Sequence, residues 1–168
     1  MDSTIPLDME AKALEAPEDH GADLRLWLRL LTTTTLIESE IRRRLRDNFD
    51  STLPRFDLMA QLDRAPEGMT LSDLSKRMMV SNGNLTGLVD RLIASSHIVR
   101  RVSDSDRRSS VISLTEAGRQ AFRAMAADHE NWISSLFGGL NQKEHAELMR
   151  LLGRAKASAR REIEGDKA

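Results

Sequence analysis

The feature that most constrains this chain is an order of local signals between residues 70 and 114. Thr70-Leu71-Ser72-Asp73 reads as a capping box, and Leu71, Leu74 and Met78 lie at helical spacing behind it. Val80-Ser81-Asn82-Gly83-Asn84 makes a tight turn and a new helix start, followed by a stripe of Leu85, Leu88, Val89, Leu92 and Ile93. After Ser95-Ser96 the period changes. His97–Val102 and Ser110–Leu114 are β-rich runs flanking Ser103-Asp104-Ser105-Asp106-Arg107-Arg108, a hairpin with two adjacent arginines at its tip. Helix, turn, helix and basic hairpin in this order predict a winged helix-turn-helix.

The flanking segments predict helices. From Asp23 to about Phe49 the apolar residues Leu24, Trp27, Leu28, Leu31, Ile37, Ile41 and Leu45 recur every three or four positions. Thr32-Thr33-Thr34-Thr35 is poor helical material, but the stripe resumes beyond it, so one long helix is expected. Ser51-Thr52-Leu53-Pro54 offers a cap with proline in the first turn of a short helix burying Phe56, Met59 and Ala60 and ending by Pro66-Glu67-Gly68. Thr115-Glu116 starts a helix through Phe122 and Met125 toward Trp132, broken at Gly138-Gly139. Asn141-Gln142-Lys143-Glu144 is a second capping box, opening a last helix with Leu148, Leu151, Leu152 and Ala155 on one face. The expected fold is therefore mainly α with a small β-wing. It divides into an acidic tail (1–20), a winged helix-turn-helix DNA-binding lobe (51–115), and a helical dimerisation region (21–50 and 116–164). The apolar stripes of the first and last helices exceed what so small a lobe can cover, which predicts pairing with a second copy of the chain.

Charge is distributed to match. The 168 residues carry 25 Lys+Arg and 26 Asp+Glu, a net charge of −1. Six acids and one base lie in residues 1–20, which leaves the rest of the chain basic. Within 71–114 seven bases face four acids. The chain has no cysteine, which excludes a disulfide scaffold, a thiolate zinc site and a peroxide-sensing thiol. No signal peptide or membrane-length apolar run is present, so a cytoplasmic location without membrane association is expected. No phosphate-binding glycine loop, His-Glu-x-x-His or nucleophile elbow points to an enzyme, and no cofactor is implied. His129-Glu130 and His145 with Glu144 or Glu147 are read as surface residues rather than a metal site.

The residues suited to DNA are Ser81, Asn82, Asn84 and Thr86 at the start of the second helix, where short polar groups meet base edges in a major groove, together with Arg91 further along it. Arg107 and Arg108, with Asp106, sit on a thin hairpin of the kind that reaches a minor groove. A winged helix that binds another protein is the competing class, and the salt dependence of DNA binding separates the two.

These segments resemble the MarR family of winged-helix transcriptional regulators. The resemblance is carried by Leu71–Met78, by Val80–Leu92, and most specifically by Asp106-Arg107-Arg108 followed by Leu114-Thr115-Glu116-Ala117-Gly118. It covers residues 52–118, and more loosely 22–160. It implies a homodimer joined through its first helix and its last two helices on a pseudo-palindromic double-stranded DNA operator. It also implies that Arg108 enters the minor groove, steadied by Asp106. Ser96 departs from the family pattern, standing where glycine usually follows the recognition helix. Members are commonly released from DNA by small aromatic acids, phenols or related thioesters, which implies a ligand-responsive repressor. The corresponding cleft would draw on Trp27, Leu31, Phe56, Met59, Met78 and Trp132, with Arg25 or Arg29 for an anionic group. The stretch Met78–Leu88 is also similar to members that sense aromatic acyl-CoA thioesters, which would connect the chain to aromatic catabolism.

Overall fold

In a computed structural model the described residues are 21–102 and 110–165. The N-terminal tail and the wing-tip residues Asp106, Arg107 and Arg108 fall outside them, as does the side chain of Asn82. Helix α1 (Ala22–Phe49) runs unbroken through the four threonines. Thr32 is buried and the Thr33 hydroxyl donates to the Arg29 carbonyl, 2.8 Å away, which accommodates two poor helix formers within the ladder. The second half of α1 is laced by ion pairs one turn apart, among them Arg44–Glu40 at 2.6 Å and Arg43–Asp47 at 3.0 Å. Asp50 ends the helix in the left-handed conformation.

Helix α2 (Leu53–Asp63) is capped by Thr52, whose hydroxyl accepts from the Arg55 amide, with Pro54 in its first turn. A two-residue strand, β1 (Met69–Thr70), leads directly into α3 (Leu71–Met78). Next come α4 (Asn82–Ala94), β2 (Ile98–Val102) and β3 (Ser110–Leu114), then α5 (Glu116–Leu136) and α6 (Gln142–Gly165). The strands form one antiparallel sheet in the order β1-β3-β2, with Met69 opposite Ile112 and Ile98 opposite Leu114.

β1 is absent from the sequence reading, because two residues are too few to show a period. Its placement depends on Gly68. That residue has φ +88, and a Cβ on it would lie 2.5 Å from the Val111 side chain and 2.6 Å from the Ile112 carbonyl oxygen.

The chain divides into two units between His129 and Glu130. In the first, the core is built from Leu45, Leu58, Leu62, Leu74, Leu85, Val89, Leu92 and Ile112, all fully buried. Phe56 packs on Phe122 with ring centroids 5.5 Å apart, and on His129 at 4.8 Å. His129 is thus half-buried on an aromatic ring, not the surface residue the sequence suggests. In the second unit, Asn141 caps α6: its side-chain oxygen accepts from the Lys143 and Glu144 amides, and Glu144 accepts from the Asn141 amide at 2.8 Å. No residue of α6 is buried within the chain. Among the described residues no helix is long and apolar enough to cross a membrane, and no group of three or more metal-ligating acids or histidines occurs.

Candidate nucleic-acid interface

The turn between α3 and α4 is fixed by local bonds. Met79 takes the left-handed conformation that stops α3, and the Ser75 hydroxyl donates to the Val80 carbonyl at 2.7 Å. Ser81 then caps α4, its hydroxyl accepting from the Asn84 amide. Leu85, Leu88, Val89 and Leu92 bury one face of α4 against the lobe, which turns the opposite face outward. Ile93, expected in that stripe, is 36% exposed, at the edge of the buried arc.

The outward surface begins with Ser81 and Asn84, both exposed. Asn82 is the first residue of α4, and Thr86 is half-buried and already engaged. Arg91 is exposed two turns further on. Two glycines that the sequence reading did not assign to the interface, Gly83 and Gly87, lie one turn apart on this helix. A Cβ on Gly83 would meet open space, and one on Gly87 would meet only the Arg91 guanidinium at 4.0 Å. A helix bare at these points allows a large ligand close approach to its backbone. The only signal for them in the sequence was their four-residue spacing. Arg100 on β2 reaches Asp90 on α4 at 3.7 Å, which ties the base of the wing to the helix. Lys76, Arg77 and Arg101 are exposed on the same lobe.

The exit of the wing is equally specific. The Thr115 hydroxyl donates to the Ser96 carbonyl at 2.7 Å and accepts from the Gly118 amide at 2.9 Å. Ser96 has φ 60, so the position where the resemblance implied glycine keeps the left-handed backbone with a serine in it.

A family model described as MarR family matches residues 51–110. A crystal structure of a MarR family transcriptional regulator from Silicibacter pomeroyi is 32% identical, covering 82% of this chain and 94% of that one, with a TM-score of 0.69. The chain belongs to the MarR family. The HTH-type transcriptional regulator YfiV of Bacillus subtilis is 31% identical over 127 residues, spanning 76% of this chain and 67% of its own length. A variant of MarR from E. coli, crystallised with operator DNA, shares the fold at a TM-score of 0.68 and 23% identity, over 76% of this chain and 91% of that one. As a MarR-family transcriptional regulator the chain stands with DNA-binding proteins and not with enzymes.

Within the first unit, the residues expected to line an effector cleft fall at more than one location. Phe56 and Met78 line a cavity of about 530 Å³, together with Arg42, Asp57, Arg64 and Arg77. Met59 is on another face of α2 and lines a separate, smaller cavity. Arg25, Trp27, Arg29 and Leu31 occupy the N-terminal half of α1, where Trp27 is 57% exposed; Trp132 belongs to the second unit and is buried. The cations at the larger cavity are therefore ones the sequence did not single out. Asp57 within it has its carboxyl pushed up by burial, opposed by the charges of His129 and Arg42. Burial pushes the His129 imidazole down, and Asp57 partly offsets it.

Proposed function

We propose that this chain is a homodimeric, ligand-responsive repressor that binds a pseudo-palindromic operator through the lobe 51–115, and pairs through 21–50 and 116–164. The reading is carried by the exposed N-terminus of α4, where Ser81 and Asn84 stand clear of a helix whose other face is buried. Such a terminus offers short donors and acceptors to base edges and its own amides to a phosphate. In this reading Asn82, Thr86 and Arg91 extend the contact along the groove, and Arg107 and Arg108, with Asp106, supply the minor-groove arm. Leu148, Leu151 and Leu152 on α6 and Leu24 and Trp27 on α1 are exposed in the single chain, and a second copy would cover them.

The effector is a small aromatic acid, phenol or aromatic acyl-CoA thioester. The cavity at Phe56 and Met78 supports this class, since an aromatic wall and a deformable thioether sit beside three guanidinium groups. Ligand binding lowers operator affinity only by as much as it prefers a lobe placement that DNA does not.

Fluorescence anisotropy tests the reading, with the protein on its own upstream DNA and on a scrambled duplex at two salt concentrations. Selective binding that weakens steeply with salt is expected, as contacted phosphates release counterions. Equal, weak binding to both duplexes, repeated across genome-wide selected fragments, would replace the operator with a protein partner. A promoter reporter distinguishes repression from activation.

A further inference from the structure

A cavity of about 110 Å³ opens in the first unit between the end of α1, the start of α2, the start of β2 and the middle of α5. Its lining includes Ser51, Arg55, Met59, His97, Ala121 and Met125. It lies apart from the larger cavity. Residues 55 and 59 of α2 face it, whereas Asp57 and Gln61 face the other.

Arg55 is the feature that wants explanation. Its Nε is buried and has no hydrogen-bond partner among the described residues. Its terminal nitrogens make only long contacts, 3.5 Å to the Asp50 carbonyl and 3.5 Å to the Ser95 hydroxyl. Among the described residues no carboxylate pairs with it, although other arginines of the chain hold acids at 2.6–3.0 Å. A guanidinium desolvated along one edge and left without an anion is costly. The group that satisfies it best is a carboxylate, whose two oxygens match the fork.

We propose that this cavity binds a small aliphatic monocarboxylate, its oxygens on Arg55 and its alkyl body against Met59, Ala121 and Met125. Size sets the class: a dry cavity of about 150 Å³ takes benzene, so this one takes a body of three or four carbons. Charge sets it too, because one guanidinium, with Ser51 and His97 as the other polar groups of the lining, matches a monoanion better than a phosphate dianion. The site adjoins Ser95 and His97, which bond to each other at 2.8 Å just beyond the end of α4. A carboxylate on Arg55 would compete with its contact to Ser95, at the joint between recognition helix and wing.

The test is thermal unfolding and titration calorimetry of the full chain with sodium acetate, propionate and butyrate, and with chloride and phosphate at matched ionic strength. Propionate or butyrate is expected to raise the melting temperature saturably while chloride does not. Arg55→Gln is expected to weaken that binding at least tenfold. Ala121→Leu, which fills the cavity and leaves Arg55 in place, is expected to abolish it and decides the matter if the arginine variant does not fold. No saturable response to any carboxylate would overturn the proposal, as would an equal response in wild type and variants. A response to phosphate alone would overturn it in favour of an inorganic anion. The assay contains no DNA, so its outcome is independent of the operator reading.

Discussion

Gly118 sits so close to His97 that a Cβ on it would lie 1.9 Å from the His97 carbonyl oxygen. That oxygen also accepts from the Thr115 amide at 3.0 Å, so the first turn of α5 is pressed against the residue that begins the wing. Gly118→Ala is expected to cost about 3 kcal/mol, because backbone must shift and no flexible side chain can yield instead. Thr115→Ala, which removes only the cap and its bonds, should cost about 1 kcal/mol. Urea unfolding measures both, and equal effects would put the cap, not the close approach, in control of the junction.

Ser96 has φ 60 without being glycine. Ser96→Gly should therefore stabilise the lobe by about 0.5–1 kcal/mol, the relief of left-handed strain less the added freedom of the unfolded chain. Its bond to Thr115 uses the backbone carbonyl and survives the change. A loss of stability would mean that the serine hydroxyl holds the turn.

Major-groove reading by α4 and minor-groove anchoring by the wing should separate. Asn84→Ala is expected to remove about 1–2 kcal/mol of discrimination at one operator position while changing overall affinity less. Arg108→Ala should weaken binding to the operator with the dimer intact. Binding across single-base operator variants measures the first. An unchanged preference profile would remove Asn84 from the contact.

Burial disfavours the proton on His129, so the folded state binds it less readily than the unfolded chain does. Stability from this group is fully present above the ordinary value of 6.5, and is lost as pH falls from there through the depressed folded value. Asp57 acts oppositely, since its raised carboxyl gains stability as it takes up a proton. The melting temperature should thus drop between pH 7.5 and 5.5. His129→Phe, which keeps a ring on Phe56, should flatten that fall; a parallel decline in both proteins would place the pH response elsewhere.

Leu151 on α6 is 45% exposed in the single chain. Leu151→Glu is expected to shift the protein from dimer to monomer in sedimentation equilibrium and to lower operator affinity at least tenfold, as half-sites are then bound singly. A stable dimer carrying this substitution would move the interface off that face.

The local chemistry of this fold was legible because it is written within four residues. Thr70, Ser81 and Asn141 cap the helices their neighbours predicted, and the stripe Leu85, Leu88, Val89 and Leu92 is buried. Periodicity identified α1 across its threonines, but left open what covers Leu24 and Trp27, since a period marks an apolar face and not its occupant. What escaped the reading is made by distant residues meeting. Asp57 and His129 are 72 positions apart, and only packing of α5 on α2 makes them neighbours. Arg55 drew no attention in the sequence, because nothing in its spacing reveals that its Nε is buried. Gly68 ended a helix in the sequence, and in the fold it also admits a strand.

That strand leaves no slack. Thr70 closes β1 opposite Val111 and in the same stroke caps α3, its hydroxyl accepting from the Asp73 amide at 3.2 Å. The strand that pairs with the outgoing strand of the wing and the helix that props the reading helix are therefore cut from one piece, like two teeth of a single key. Such a key does not adjust tooth by tooth to an imperfect lock. In the proposed operator complex it is therefore the DNA that is expected to bend or narrow, and sequences that deform cheaply are expected to be favoured even at positions no side chain touches.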